Sequence, residues 1–157
     1  MMMPDKRSHR GPHPDDAQLF GPDQWPTLQN AVADVSWLLS RDYTLHAAVK
    51  LAGDHYQLAD RQRRAVMRCA CSDAALLGRK SHRVSAESVH EQPLHIDGYN
   101  VLTTIEAALG GGVILRGRDG CLRDMASMHG HYKRVAETGP ALELLGQTLA
   151  TLDAATV

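Results

Sequence analysis

Apolar positions in the N-terminal half repeat at helical spacing. Downstream of Pro26, a residue type typical of a helix start, apolar side chains recur every three or four residues through Leu39. A second stretch of this kind ends at Gly53, and glycine is common just after the last turn of a helix. A third begins at Asp60, which can cap a helix N-terminus, and runs through Leu77 with its arginines on outer faces. This half therefore predicts a unit of three helices.

The pattern changes at Pro93. The short apolar run 94–96 stops at Asp97, and helical spacing then continues to Leu109. A buried strand that ends in Asp-Gly and leads into a helix is a usual opening of an α/β domain. Further on, residues 113–115 fit a brief strand or a helix start, residues 117–129 predict a helix, and the leucines of 142–152 predict a final amphipathic helix. Together these elements predict an α/β fold that is mainly helical.

Composition divides the chain into three parts. Residues 1–26 contain five of the seven prolines and few apolar side chains, and we expect a flexible leader there. Residues 27–90 form the helical module, and residues 91–157 form the α/β portion. Within the module, a helix, a glycine-containing turn and a basic helix match the pattern of a helix-turn-helix. A three-helix bundle whose third helix is merely basic and soluble fits the same residues.

Composition also excludes some classes of protein. The chain has 157 residues, of which 43% are hydrophobic and 22% charged, so it can bury a core. Its apolar runs are all shorter than the roughly 20 residues that a membrane-spanning helix needs. No apolar segment follows the basic start, which argues against a secretory signal. Three cysteines are too few for a disulfide scaffold, and we expect a reducing cytoplasm.

Charge is unevenly distributed, although the net charge is only −1. Residues 61–83 contain seven Lys or Arg against one acid, and residues 116–134 contain five against two. Basic patches of this kind attract phosphates even in a neutral protein, whereas the simpler interpretation is a solvated helix face. Aromatic residues make up only 4% of the chain, which is little material for stacking bases. The arginines expected to contact RNA or DNA are Arg61, Arg63, Arg64, Arg68, Arg118 and Arg123.

Asp97 is the strongest candidate for chemistry. It follows the predicted strand, and ligands of open α/β sheets bind beyond the carboxyl ends of the strands. A carboxylate beside Gly98 suits Mg²⁺ or Mn²⁺, and such a site needs further acids. Asp124 is the preferred second metal ligand, Asp119 is a third catalytic candidate, and Glu106 is another nearby acid. Each has a structural alternative: Asp97 can stabilise a turn, Asp124 can pair with an arginine, and Glu106 can face solvent.

Two resemblances to known families add to this picture. Residues 94–102, Leu-His-Ile-Asp-Gly-Tyr-Asn-Val-Leu, resemble the first strand and loop of the NYN branch of the PIN-like nucleases. More broadly, residues 10–157 resemble bacterial proteins of domain-of-unknown-function family 434. The segments that carry this second resemblance are 33–41, 50–54, 61–63 and 69–73. It implies a helical N-terminal unit followed by a PIN-like, three-layer α/β portion.

The resemblance implies a metal-dependent nuclease that acts on RNA or single-stranded nucleic acid. Asp97 and further acids would hold Mg²⁺ or Mn²⁺, which generates a hydroxide and stabilises the leaving oxygen. PIN-like domains continue into further strands with later ligands, whereas this chain ends at Val157. We therefore expect an incomplete site and no cleavage by the chain itself. The alternatives are a non-catalytic nucleic-acid-binding or protein-interaction module, and a helical assembly domain.

Overall fold

The computed structural model of the chain describes residues 10–125 and 132–155. Seven α-helices and two strands occur in these residues, which confirms the mainly helical character. The helices are α1 (Asp16–Leu19), α2 (Trp25–Leu39), α3 (Leu45–His55), α4 (Asp60–Cys69), α5 (Asp73–Ser81), α6 (Gly98–Leu109) and α7 (Thr138–Leu152), and the strands are β1 (Ile114–Arg116) and β2 (Leu122–Asp124). None of these helices has the length and hydropathy needed to cross a membrane.

Internal contacts divide the described residues into two units. The bundle unit comprises residues 13–82 and 113–125, and the two-helix unit comprises residues 10–12, 83–112 and 132–155. This division differs from the expected boundary near residue 90, because β1 packs against α4 and so joins the N-terminal helices. Of the expected leader, residues 1–9 lie outside the described part of the chain.

The core of the bundle unit lies where α2, α3 and α4 pack together. Ala31 and Val35 of α2, Ala48 of α3 and Val66 of α4 are all buried in one cluster. Alanines at the contact let the helix axes approach, and the valines fill the space between them. The first two helices predicted from the apolar spacing are therefore present as α2 and α3, and they bury the predicted stripe against α4.

The third predicted helix is two helices. α4 ends at Cys69, and α5 begins at Asp73. Ser72 caps α5, since its hydroxyl accepts a hydrogen bond from the Ala75 N–H at 3.2 Å. Ser40, which directly follows α2, accepts a second one from the Asp73 N–H at 2.9 Å. A serine that satisfies the first free N–H groups of a helix favours a new start at this point, although the apolar spacing continues.

β1 and β2 form an antiparallel hairpin in which Ile114 lies opposite Asp124. Its turn is closed by a hydrogen bond from the Gly117 N–H to the Cys121 carbonyl at 2.9 Å. A second bond of 2.9 Å joins the Gly120 N–H to the Gly117 carbonyl. Gly120 has a φ of 81°, a value that glycine adopts without strain.

The hairpin corrects the helix predicted over residues 117–129. That prediction is wrong for residues 117–125, and residues 126–129 lie outside the described part of the chain. Apolar residues at helical spacing suggested a helix, but two glycines three positions apart favour a tight turn between short strands.

The two-helix unit is formed by α6 and α7, which pack against each other. Residues 94–97, predicted as a buried strand, have no regular secondary structure. An extended segment becomes a strand only where another strand pairs with it, and β1 and β2 pair with each other in the bundle unit. The described residues thus support a mainly helical chain with one two-stranded sheet, and the PIN-like layers stay a prediction.

Candidate nucleic-acid interface

Parts of the two basic segments meet in the bundle unit. α4 carries the first four arginines of the first segment, the hairpin carries Arg116, Arg118 and Arg123 of the second, and β1 packs against α4. The backbone N–H of Arg118 donates to the Cys69 carbonyl at 2.9 Å, which fixes the hairpin at the end of α4. Arginines that are distant in sequence therefore lie on elements in direct contact.

Two arginines of α4 bind carboxylates of their own unit. Arg61 donates to the Asp16 carboxylate at 2.9 Å, and the two side chains are 17% and 5% exposed. Arg63 donates to the Asp54 carboxylate at 2.8 Å. Its guanidinium covers Gly53 so closely that a Cβ there would lie 2.4 Å from Nη1. These arginines hold α1, α3 and α4 together, so a phosphate would compete with internal partners for them.

Arg118 fixes the hairpin to the junction of α4 and α5. Its Nη1 donates to the Cys71 carbonyl at 2.8 Å, and its Nη2 donates to the Asp73 carboxylate at 2.5 Å. The hydrogen bond from Arg118 is the largest cause of the lowered pKa of Asp73. The backbone and the side chain of Arg118 thus both hold the hairpin in place against the end of α4.

Asp119 lies at the centre of the hairpin turn. Arg123 donates to it twice, at 2.8 and 2.6 Å, and Arg79 of α5 donates at 2.7 Å. The Cys121 N–H donates at 3.1 Å. The hydrogen bonds from Arg123 are the largest cause of a pKa of Asp119 well below its usual range. The Asp119 side chain is 1% exposed and is surrounded by donors, which is the environment of a structural carboxylate.

Three Lys or Arg side chains of the bundle unit are exposed and have neither an ion pair nor a ring contact with another described residue, whereas the exposed Arg41 stacks on Trp37. Arg68 is not one of the three, because its Nη2 lies 3.8 Å from Oδ1 of the buried Asp124. Arg64, one turn earlier on α4, is exposed and has no ion pair with another described residue. The same holds for Lys80 on α5 and Arg116 on β1. We call Arg64, Lys80 and Arg116 the exposed cations.

Asp97 directly precedes α6 in the two-helix unit and is exposed. Its carboxylate accepts a hydrogen bond from the Asn100 amide at 2.6 Å. The predicted buried strand end is therefore wrong, because the Asp-Gly-Tyr-Asn segment begins a helix, where a carboxylate is favoured. Asp119 and Asp124 belong to the bundle unit. Among the residues that the structure describes, no group of three or more His, Cys, Asp or Glu is placed to hold a metal ion.

Glu106 of α6 is fully buried, although it was expected to face solvent or assist a metal. It accepts hydrogen bonds from the Tyr132 hydroxyl at 2.5 Å and the Thr138 hydroxyl at 2.6 Å, and it pairs with Arg10. Burial, followed by the bond to Glu106, raises the pKa of Tyr132. The sequence contains one indication of this burial, because Glu106 lies four residues after Leu102 and therefore on the buried stripe of α6.

A groove of about 450 Å³ opens in the bundle unit along α2, the end of α4 and β1. Trp25 lies at one wall, 55% exposed, and its indole N–H donates to the Phe20 carbonyl at 2.9 Å. Burial raises the pKa of the Cys69 thiol, which leaves a neutral side chain at another wall. The remaining lining includes Leu28, Gln29, Val32, Ile114, Leu115 and Arg116. We call this space the Trp25 groove.

Comparison with known proteins gives two family matches. Residues 27–82 match the family described as "Protein of unknown function (DUF434)", which confirms the expected resemblance for that segment. Residues 86–157 match the family described as "Domain of unknown function (DUF5616)". The bacterial origin and the PIN-like portion stay predictions.

A curated relative is the "Uncharacterized protein MJ0935" of the archaeon Methanocaldococcus jannaschii. It is 28% identical over 123 residues, which cover 78% of this chain and 59% of that protein. The chain thus spans less than two thirds of this relative's length. No solved structure matches the chain.

Proposed function

We propose that the bundle unit binds the phosphate backbone of RNA or single-stranded nucleic acid without reading its sequence. The observation that supports this is the contact between basic α4 and the basic hairpin. It brings Arg64 and Arg116 onto neighbouring elements, both exposed and without an ion pair among the described residues. Guanidinium groups that lack a carboxylate partner are free to donate to phosphate oxygens.

The paired arginines have a different role in this proposal. Of the six arginines predicted from the sequence, five face a carboxylate of the bundle unit: Arg61, Arg63, Arg68, Arg118 and Arg123. These side chains shape the surface, and a phosphate would have to displace their partners. We assign the main backbone contacts to Arg64 and add Arg116 and Lys80, which the charge pattern alone did not single out.

Metal-dependent cleavage is a separate proposal for a longer protein. It rests on the resemblance of residues 94–102 to the opening motif of PIN-like nucleases. Mg²⁺ or Mn²⁺ would need Asp97 together with further acids, because one carboxylate binds Mg²⁺ too weakly to hold it against water. For this chain we adopt the non-catalytic binding module.

The test compares Arg64→Gln and Arg116→Gln with Arg134→Gln, an exposed arginine of the other unit that loses the same charge. Binding of a fluorescent single-stranded RNA is followed by anisotropy at low salt. Each of the first two substitutions is expected to weaken binding by about fivefold, since each removes a charge-assisted contact. The control is expected to bind like the parent. Equal affinity of all four proteins, or an equal loss in the control, contradicts the proposal.

A further inference from the structure

We propose that the Trp25 groove is a site for one nucleoside phosphate unit, with the base stacked on Trp25 and the phosphate at Arg116. This inference rests on the proposed function of the same unit, because it names the part of the ligand that enters the fold. It also assigns a role to an aromatic side chain that a phosphate-backbone surface leaves unused.

The aromatic wall of the groove is built for a flat ligand. The hydrogen bond from the Trp25 indole N–H to the Phe20 carbonyl fixes the ring while about half of its surface stays open. A fixed, exposed ring is a stacking platform for any base, because every base has a π-face. A volume of about 450 Å³ falls within the range of ordinary small-molecule sites.

Arg116 and Arg118 give the groove a basic end. The Arg118 guanidinium is occupied by the Cys71 carbonyl and the Asp73 carboxylate. Arg116 has no ion pair with a described residue and is therefore the group available to an anion. No Asp or Glu is among the described residues that line the groove, so an anion meets no opposing charge on its walls.

Gln29 adds a polar group to the apolar wall. Its amide offers both donors and an acceptor, which can pair with the polar edge of a base. A simple fatty acid would make no use of this exposed amide, and an inorganic anion would leave the apolar wall empty. A flat, hydrogen-bonding body with one anionic end is the chemistry that satisfies all three features.

The experiment uses the intrinsic fluorescence of Trp25. The chain contains two tryptophans, and Trp37, which stacks beneath the Arg41 guanidinium at 3.6 Å, lies outside the groove. Trp37→Phe therefore leaves Trp25 as the only tryptophan. This protein is titrated with AMP, adenosine, inorganic phosphate, octanoate and a short single-stranded oligonucleotide.

We expect AMP to quench Trp25, adenosine to bind about tenfold more weakly, and inorganic phosphate to give no quenching. Arg116→Gln is expected to weaken AMP binding by about tenfold and to leave adenosine binding unchanged. Arg134→Gln, which removes the same charge from an exposed arginine of the other unit, is the matched control and is expected to bind AMP like the parent. If Trp37→Phe does not fold, Trp25→Leu in the original chain, followed by calorimetry, is expected to lose AMP binding.

Several results would overturn the inference. The first is that neither AMP nor the oligonucleotide quenches Trp25. The second is that Arg116→Gln leaves the AMP affinity unchanged, and the third is that octanoate binds as tightly as AMP. Quenching by the oligonucleotide but not by AMP supports the site and assigns its ligand to a strand rather than to a free nucleotide. Arg64-dependent RNA binding without quenching rejects the groove and retains the proposed function. AMP quenching without RNA binding retains the groove as a nucleotide site and rejects the proposed function.

Discussion

Neighbouring arginines on one helix serve different purposes in this chain. Arg61 and Arg63 of α4 donate to Asp16 and Asp54, whereas Arg64 extends into solvent. Successive side chains on a helix point about 100° apart, so adjacent residues meet different surroundings. A count of basic residues cannot separate these cases, and their contributions to stability and binding must be tested residue by residue.

The first prediction compares Arg63→Gln with Arg64→Gln. Arg63 also donates to the carbonyl of buried Leu58 at 2.9 Å, and its loss leaves that oxygen without this donor. We expect Arg63→Gln to lower the free energy of unfolding by about 1 kcal/mol. Arg64→Gln is expected to change it by less than about 0.5 kcal/mol, as is usual for exposed side chains. Urea unfolding followed by circular dichroism measures both, and equal losses would contradict the assignment.

The second prediction concerns acid. Burial tends to raise the pKa of Asp16, but the hydrogen bonds from Arg61 and His13 outweigh it, so that the folded pKa is lowered. The pKa of Asp119 is lowered mainly by Arg123. A lowered folded pKa means that this stabilisation is complete above the ordinary pKa of 3.8 and is lost as the pH falls below it.

We therefore expect the urea midpoint to be lower at about pH 3 than at about pH 7. Asp119→Asn lacks the carboxylate of the hairpin turn, so its midpoint is expected to fall less across the same interval while being lower at neutral pH. Glu143→Gln, which changes an exposed acid of the other unit that has no ion pair among the described residues, is the control and is expected to follow the parent. Parallel curves for all three proteins would show that Asp119 does not contribute to the acid response.

At the scale of elements, helices were predictable where one stripe is buried. α2 and α3 place apolar residues on a single face against α4, and the spacing shows it directly. The start of α5 depends on Ser72 and on Ser40, which lies far away in sequence at the end of α2, so local spacing is insufficient. The hairpin depends on Asp119, which accepts hydrogen bonds from Arg79 of α5 and Arg123 of β2, and this is a tertiary arrangement.

The third prediction tests the packing of that hairpin. A Cβ at Gly117 would lie 2.1 Å from Nη1 of Arg123 and 2.8 Å from Oδ1 of Asp119. Gly117→Ala must therefore displace this ion pair, and we expect a loss of about 2 kcal/mol in the free energy of unfolding. Gly78→Ala on α5 is the matched control, because a Cβ there meets nothing within 4 Å. Alanine favours a helix over glycine, so the control is expected to be unchanged or more stable.

At the scale of the whole molecule, the apolar spacing predicted the mainly helical character, but it did not predict the local structure around two of the candidate acids. Asp97 was assigned to a strand from a four-residue motif, whereas the same residues begin α6. Glu106 was weighed as a further acid for a metal site or as a solvent-facing residue, whereas it is buried by Arg10 and Thr138, partners that lie far away along the chain. Long-range partners decide the burial of Glu106, and periodicity carries no information about them.

The fourth prediction concerns how the bundle unit as a whole responds to salt. Each phosphate that a basic side chain neutralises on a single strand releases a fraction of a counterion, so log Kobs falls with log salt by about 0.7 per contact. Three exposed cations, Arg64, Lys80 and Arg116, therefore predict a slope of about −2. Anisotropy titrations with a single-stranded RNA between about 50 and 200 mM salt measure it.

Arg116→Gln is expected to make the slope shallower by about 0.7, whereas Arg134→Gln is expected to leave the slope unchanged. A slope of about −4 or steeper would require phosphates to take arginines from their carboxylates, for example Arg68 from Asp124, and would contradict the division into paired and exposed side chains. In that case Asp124→Asn should tighten binding, because it frees Arg68 from its neighbour. If the paired arginines stay paired, Asp124→Asn binds with the parent's slope, and the three exposed cations account for the whole electrostatic contribution to binding.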